Sequence, residues 1–440
     1  PPAAAQVPGS PEGREMKMPS RVRPSACWIM IALMALAAEP ALEAQPIVFE
    51  WDASLGGMGS LIDAGAGPVM DSRDSLAADV SLSHELGPGE MTYAAGVGFF
   101  YLPQELLPGA NAVDQILVYP SLVSITWELS PVRSHDPWIK AAVGRMDAQE
   151  PTGLLLENPF ALHPVQLMDG VSFELRSLWL YVSASAGYLG LLDKRINRVL
   201  FTDADFRELR EPSRYLAPSR GLAIVRLEAE QPLAGQSLGL MGIWQKDFRP
   251  SDPRFDSWYF GATTRGQILS FLRQSSSVIV GLGVPSDGPA GVGVLASSEV
   301  ALKLPGALLH EAWLSALWAS SPAGGLSAFP ALAGPPVSLG FGQPLSDVVT
   351  LEVGADASLP VMPRGAILKP ALAARLILVP SGTAPAGFTA SLSGPYVGTE
   401  VGTDLQYQAI SGFSVRLRAG GLITASRLLP YVMLDAGVKL

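Results

Sequence analysis

From residue 428 to residue 440 the chain places an apolar or proline side chain at every second position: Leu428, Pro430, Val432, Leu434, Ala436, Val438 and Leu440. Tyr431, Met433, Asp435, Gly437 and Lys439 fall between them. A period of two puts the first set on one face of an extended strand and the second set on the other. One face is therefore uniformly apolar and the other mixed. Because the alternation runs to the last residue given, the expectation is that this strand closes a sheet.

Hydrophobic residues make up 48% of the 440 positions, and mean hydropathy is +0.28. Even so, no run of about 18 apolar residues after residue 45 offers a spanning helix. Hydrophobicity is spread thinly over short alternating segments separated by turn residues. In lipid every backbone N–H and C=O must be bonded internally, so without helices the spanning solution is a closed sheet. The predicted fold is all-β, a transmembrane antiparallel up-and-down β-barrel of about 18 strands, within a range of roughly 16 to 20.

Residues 1–45 are set aside from that fold. Residues 1–15 are rich in Pro, Ala and Gly and contain no Met, which suggests an upstream extension with Met16 or Met18 as the start. Lys17, Arg21 and Arg23 then precede an apolar stretch, Ala26–Ala38, with small residues at Ala41 and Ala44. That order is the pattern of a secretory signal peptide over residues 16–45, too short for a membrane helix, with cleavage expected near Ala44. Cys27 does not follow the apolar core, as a lipid-attachment cysteine would. Residues 46–440 are read as one barrel domain.

Cys27 is the sole cysteine, so the barrel contains neither a disulfide nor a thiolate metal ligand. The net charge of −10 argues against a nucleic-acid partner. Four histidines are too few and too dispersed for a His-based metal site: His84 and His310 share parity with apolar neighbours, and His135 and His163 fall in connections. Loop carboxylates such as Asp203 and Asp205 are read as solvated rather than as a calcium site, and no cofactor is expected.

The alternating segments are joined by short and long connections in turn. Short turns are predicted at Gly87, Ser130, Arg176, Pro232, Gln274, Pro305 and Pro344, and long loops at 147–169 and 191–219. Such a rhythm places the short turns at the periplasmic end and the long loops outside. Gly56–Arg73 reads as another long connection, while Val337–Gly342 and Phe388–Ser393 read as strands. Trp51, Tyr101, Trp127, Trp138, Trp244, Trp258, Tyr259, Trp318 and Tyr396 cluster near predicted strand ends, as an interfacial girdle requires.

Charged residues fall on the parity opposite the apolar face, where lipid would penalise them by roughly 2–4 kcal/mol each near the midplane. Glu352, Glu400, Asp404, Arg416 and Arg418, with Arg145, are the candidate lumen or selectivity residues. Arg416 and Arg418 stand one strand from Glu400 and Asp404, so they form either a field across the lumen or a ladder between neighbouring strands. Gly235–Gly239 matches the G-x-S-x-G pattern around Ser237, but it opens a strand with no helical pattern behind it, so a nucleophile elbow is not expected. The chain is read as no enzyme.

Val143-Gly144-Arg145, Pro151-Thr152-Gly153 and Asp169-Gly170-Val171 together resemble the strand, Gly-Arg, outer loop, Asp-Gly, strand pattern of porin-like and alginate-export-like bacterial outer-membrane barrels. The resemblance covers residues 143–171. It implies export to the outer membrane, contact with its lipid, and a channel for passive passage of small polar solutes or ions with an external loop folded toward the lumen. Recognition by the barrel assembly machinery would use the strand ending at Leu440, which replaces the usual terminal aromatic; an oligomer is compatible with this reading. The competing readings are a plugged barrel with a surface structural or adhesive role, and a barrel hydrolase.

Overall fold

The computed structural model describes residues 48–63, 68–86, 89–102, 115–130, 137–147, 150–156, 167–189, 220–233, 235–248, 254–304, 309–321, 327, 329–330, 346–361, 366–382, 394–409 and 412–439. The chain divides into two compact units, Pro1–Pro46 and Ile47–Leu440, and the segment read as a signal peptide lies outside the described residues. So do the candidate strands Val337–Gly342 and Phe388–Ser393, the whole of the 191–219 loop, His135 and His163.

The second unit is a 19-stranded antiparallel sheet. Its strands are β1 (Val48–Asp63), β2 (Pro68–Leu86), β3 (Gly89–Leu102), β4 (Gln115–Leu129), β5 (Trp138–Asp147), β6 (Leu167–Arg176), β7 (Leu180–Leu189), β8 (Arg220–Leu233), β9 (Gln236–Asp247) and β10 (Phe255–Leu269). They continue as β11 (Leu272–Pro285), β12 (Gly291–Lys303), β13 (Leu309–Ala319), β14 (Val348–Ala357), β15 (Leu359–Val361), β16 (Ala366–Leu378), β17 (Tyr396–Gln408), β18 (Phe413–Ile423) and β19 (Leu428–Lys439). β14 and β15 follow one another across Ser358 and both pair with β16, so the 19 strands occupy 18 places in the wall. β19 returns to pair with β1 from Ser54↔Lys439 to Ile62↔Tyr431. That pairing closes the sheet and leaves no unpaired edge strand.

The alternation of the last segment is visible in the structure. Leu428, Val432 and Leu434 are exposed on the outer face, while Leu429, Tyr431 and Met433 are buried on the inner one. The same split recurs where Val225 and Leu227 flank Arg226, and where Leu351 and Val353 flank Glu352. The outer face is thus an apolar belt, bordered at the turn end by exposed Phe49, Trp51, Trp179 and Phe271 and toward the other end by Trp244, Phe248, Trp318 and Tyr396.

The longest connections gather at one end. At the turn end the connections span 87–88, 130–137, 177–179, 234–235, 270–271, 304–308, 362–365 and 409–412. At the loop end they include 103–114, 148–166, 190–219, 320–347 and 379–395. Two sequence expectations are corrected. Gly56–Arg73 is not a long connection: Gly56 pairs with Ser75 and the ladder continues to Asp63↔Pro68. Glycines carry no side chain to alternate, so Gly56, Gly57 and Gly59 hid the strand. Gln274 is not a turn: the chain reverses at Ser270–Phe271, and Gln274 lies within β11. There its amide donates to Ser276 Oγ (2.6 Å) and accepts from Thr264 Oγ1 (3.1 Å), a hydrogen-bonded polar row on the outer face.

Toward the loop end, side chains from two connections pack onto the inner wall. Leu222, Ile224, Met241, Ile243, Tyr259, Ile279 and Leu295 point inward and form one buried cluster with Leu155, Leu156 and Phe329, which come from connections. Glu150 shapes the first of these segments by accepting the backbone N–H groups of Thr152 (2.7 Å) and Leu155 (2.9 Å). The second segment, around 327–330, continues the sheet. β13 ends at Ala319 while β12 runs on to Gly291, so the open edge of β12 receives Ser320 N–H at Val294 O (2.8 Å) and Ser327 N–H at Val292 O (2.9 Å). Tyr259, expected in the girdle, instead faces inward, its ring 6.0 Å from that of Phe329 and its hydroxyl donating to Pro330 O at 2.6 Å.

Candidate functional site

Below the apolar cluster the inner wall turns polar. On β13–β19 the row begins with Trp313, whose Nε1 donates to Glu352 Oε1 at 2.9 Å. The indole lies flat against the wall because its register partner is Gly354; a Cβ there would stand 2.3 Å from the ring. Arg375 Nε donates to Glu352 Oε2 at 2.6 Å, and Arg375 Nη1 stands 3.9 Å from Glu400 Oε2. Next along the wall, Arg416 Nε donates to both oxygens of Asp404 at 3.0 and 2.9 Å, and Arg418 pairs with Asp435.

Arg375 faces Glu352 and Glu400 directly in register, whereas the pairs of Arg416 and Arg418 are diagonal. In register, Arg418 lies opposite Asp404 and Arg416 opposite Asp435, yet each arginine reaches the acid two residues along. Long side chains on tilted neighbouring strands meet in this diagonal way. Glu352, Glu400, Asp404, Arg416 and Arg418 therefore share the inner face and form ladders along one wall. Acid and base alternate side by side, so their fields cancel locally instead of opposing each other across the lumen.

A second polar row covers β4–β12. Trp138 Nε1 donates to Glu128 Oε1 (2.9 Å), Tyr181 Oη to Glu174 Oε2 (2.9 Å), and the Arg226 guanidinium sits 5.0 Å over the Tyr181 ring, close enough for a cation–π contact. Glu228, almost fully buried, is held between Arg226 and Arg265. Arg273 joins Glu311 (2.7 Å) and Glu299 (3.4 Å). A buried carboxylate keeps its charge only when such partners replace its water.

Arg145 stands apart from the other five candidates. Its register neighbours are Val123 and Asp169, on the parity of exposed Val123 and Val171, near the loop end of β5. It binds Asp169 with two hydrogen bonds, Nε to Oδ1 at 2.6 Å and Nη2 to Oδ2. Gly144 beside it has φ +127°, and a Cβ there would fall 2.0 Å from Val123 O. The Gly-Arg and Asp-Gly pairs of the sequence pattern are thus cross-strand neighbours, Gly144↔Gly170 and Arg145↔Asp169.

Ser237 opens β9 after a turn, and its hydroxyl donates to Arg265 O at 3.2 Å. No helix follows it among the described residues. His84 shares a face with exposed Val80 and Leu82 and stacks on Tyr93 at 5.7 Å. Ser320, Phe329 and Glu150 carried no sequence signal that singled them out, and Tyr259 carried that of a girdle residue. The alternating glycines Gly281 and Gly283 of β11 and Gly291 and Gly293 of β12 did carry one, since glycines facing each other across a ladder mark a close backbone approach.

The fold has counterparts among solved structures. OccAB3 from Acinetobacter baumannii matches with a TM-score of 0.58 at 12% identity over 89% of this chain and 99% of that one. The outer membrane protein opdK from Pseudomonas aeruginosa gives 0.56 at 14% identity over 89% and 99%, and OprD from the same species 0.54 at 11% over 89% and 93%. No protein-family model and no curated protein matches the chain. At these identities the likeness is one of fold: this chain has the barrel architecture of those proteins over nearly their whole length.

Proposed function

We propose that the chain is a bacterial outer-membrane channel through which small polar solutes or ions pass passively. The observation that carries this reading is the division of the closed barrel into an apolar outer belt and an inner wall lined with paired charges, Glu352 to Asp435 on one side and Glu228 to Glu311 on the other. A lipid-facing belt bordered by aromatic residues suits a bilayer, and a wet, charged lumen suits passage of polar solutes. OprD and opdK, described as outer membrane proteins, support the location. Export by a cleaved signal peptide and insertion through the β19 strand complete the proposal, with the long connections outside.

The packing of Leu155, Leu156 and Phe329 onto the inner wall favours a second reading, a plugged barrel that displays its loops. Single-channel recording of the refolded chain in a planar bilayer separates the two. Stable conductance steps establish the channel, whereas inserted protein that stays silent establishes the plug.

The membrane itself is tested by Leu314→Arg and Ser315→Arg, adjacent positions of β13. Leu314 is 60% exposed on the outer face, so arginine there is expected to cost about 2–4 kcal/mol at mid-bilayer depth. Ser315 is on the inner face and should accept it. Folding yields in vesicles, read by gel mobility before and after heating, should fall for the first variant alone. Equal yields would remove the assignment of the outer face to lipid.

A further inference from the structure

A cleft of about 540 Å³ opens in the inner wall near the turn end, lined by Glu228, Gln236, Arg265, Arg273, Ser275 and Glu299 among others. Its ionic groups are already matched: Arg265 pairs with Glu228 at 2.8 Å, and Arg273 with Glu299 at 3.4 Å and Glu311 at 2.7 Å. Among the described residues, no aromatic side chain lines the cleft.

We infer that this cleft is a binding site for a neutral polyhydroxylated solute of mono- to disaccharide size. An anion would have to compete with Glu228 or Glu299 for arginines they already hold, and a cation would have to compete with the arginines. A hydroxylated solute adds to the network without breaking it. A guanidinium has five N–H donors and a carboxylate about four acceptor sites, and only some are used here: the hydrogen bonds of Arg273 to its two acids both leave from Nη2. Arginine and glutamate each present two polar atoms side by side, a spacing that vicinal hydroxyls meet as donor and acceptor at once. With no ring to stack on, binding is weak and rapidly reversed, as passage requires.

The inference rests on the lumen being a path for solutes, yet binding is measured separately from passage. Calorimetric titration of the detergent-refolded full chain with maltose should show saturable weak binding that glutamate and lysine do not displace. Arg273→Met should weaken it about tenfold, and Ser275→Ala, a change at an exposed position of the cleft that leaves every ion pair in place, should weaken it by a smaller but measurable factor that a folding defect in Arg273→Met does not mimic. No maltose binding by folded barrel, affinity unmoved in Arg273→Met and Ser275→Ala, or displacement by glutamate would each overturn the site. A barrel that conducts but binds no maltose removes this inference alone. One that binds maltose but never conducts keeps the site and removes the channel.

Discussion

Phe329→Ala is expected to raise single-channel conductance severalfold while leaving the barrel folded. The ring is almost completely buried against Tyr259 and the inner wall, and truncating a buried phenylalanine costs about 3–5 kcal/mol. The polar anchors of this segment include Ser327 N–H to Val292 O, Ser320 Oγ–H to Ser327 O, Phe329 N–H to Ser320 O and Tyr259 Oη to Pro330 O. Each such bond contributes only about 0.5–1.5 kcal/mol net. Losing the ring therefore removes about as much as these four bonds supply together, and the segment leaves the wall for much of the time. Tyr259→Phe, which deletes one of those bonds, should change conductance little.

The same segment is reachable from the other side. A Cβ at Gly293 would lie 2.5 Å from Phe329 Cα, a backbone atom, and one at Gly281 would lie 2.9 Å from Pro330 Cγ. Gly293→Val should consequently displace 327–330 and reproduce the conductance of Phe329→Ala, although the two changes share no chemistry. If both variants conduct like the parent protein, with unchanged sheet content by circular dichroism, the segment is not what narrows the lumen.

Much of the wall was legible in the sequence because a barrel imposes one rule on every strand. Where the outer face is built of Leu, Val and Trp, as in β9 and β19, period two alone assigns the faces. Where glycine replaces those residues, as at Gly56, Gly57 and Gly59, the rule has nothing to act on and the strand reads as loop. Ser275–Ser277 misled differently: a polar run looked like a turn, but Gln274, Ser276 and Ser298 satisfy one another on the outer face through Ser276 Oγ to Gln274 Nε2 and Ser298 Oγ.

The interior was legible only as a face. Parity placed Glu352, Glu400, Asp404, Arg416 and Arg418 together, but which acid each arginine takes depends on strand tilt, and no single strand encodes tilt. Tyr259 shows the limit on the aromatic side. Its position near a strand end suits a girdle, and only the inward turn of 327–330, nearly seventy residues later, makes it a core residue. Arg145 shows it for charge: the Gly-Arg pattern drew attention to the right neighbours, while the register puts them on the outer parity.

The ladder on β18 and β19 makes the strongest electrostatic prediction. Arg418 is 9% exposed and its partner Asp435 19%, so removing either one takes an ionic partner from the other in a poorly hydrated wall, at a cost of up to about 3–5 kcal/mol. Arg418→Met should fall at the low end, because Arg416, register partner of Asp435, remains to share that acid. Asp435→Asn should fall higher, since the more deeply buried Arg418 must then share Asp404, its register partner, which Arg416 already holds with two hydrogen bonds. Their effects on selectivity must have opposite signs. Loss of Arg418 makes the lumen one unit more negative and moves the reversal potential in a salt gradient toward the cation limit, and loss of Asp435 moves it toward the anion limit. The double variant restores the charge balance and buries no unpaired ion, so it should recover most of the lost stability and the parental reversal potential. Strictly additive destabilisation, or two single variants shifting selectivity the same way, would mean that Arg418 and Asp435 do not act as a pair on the lumen wall.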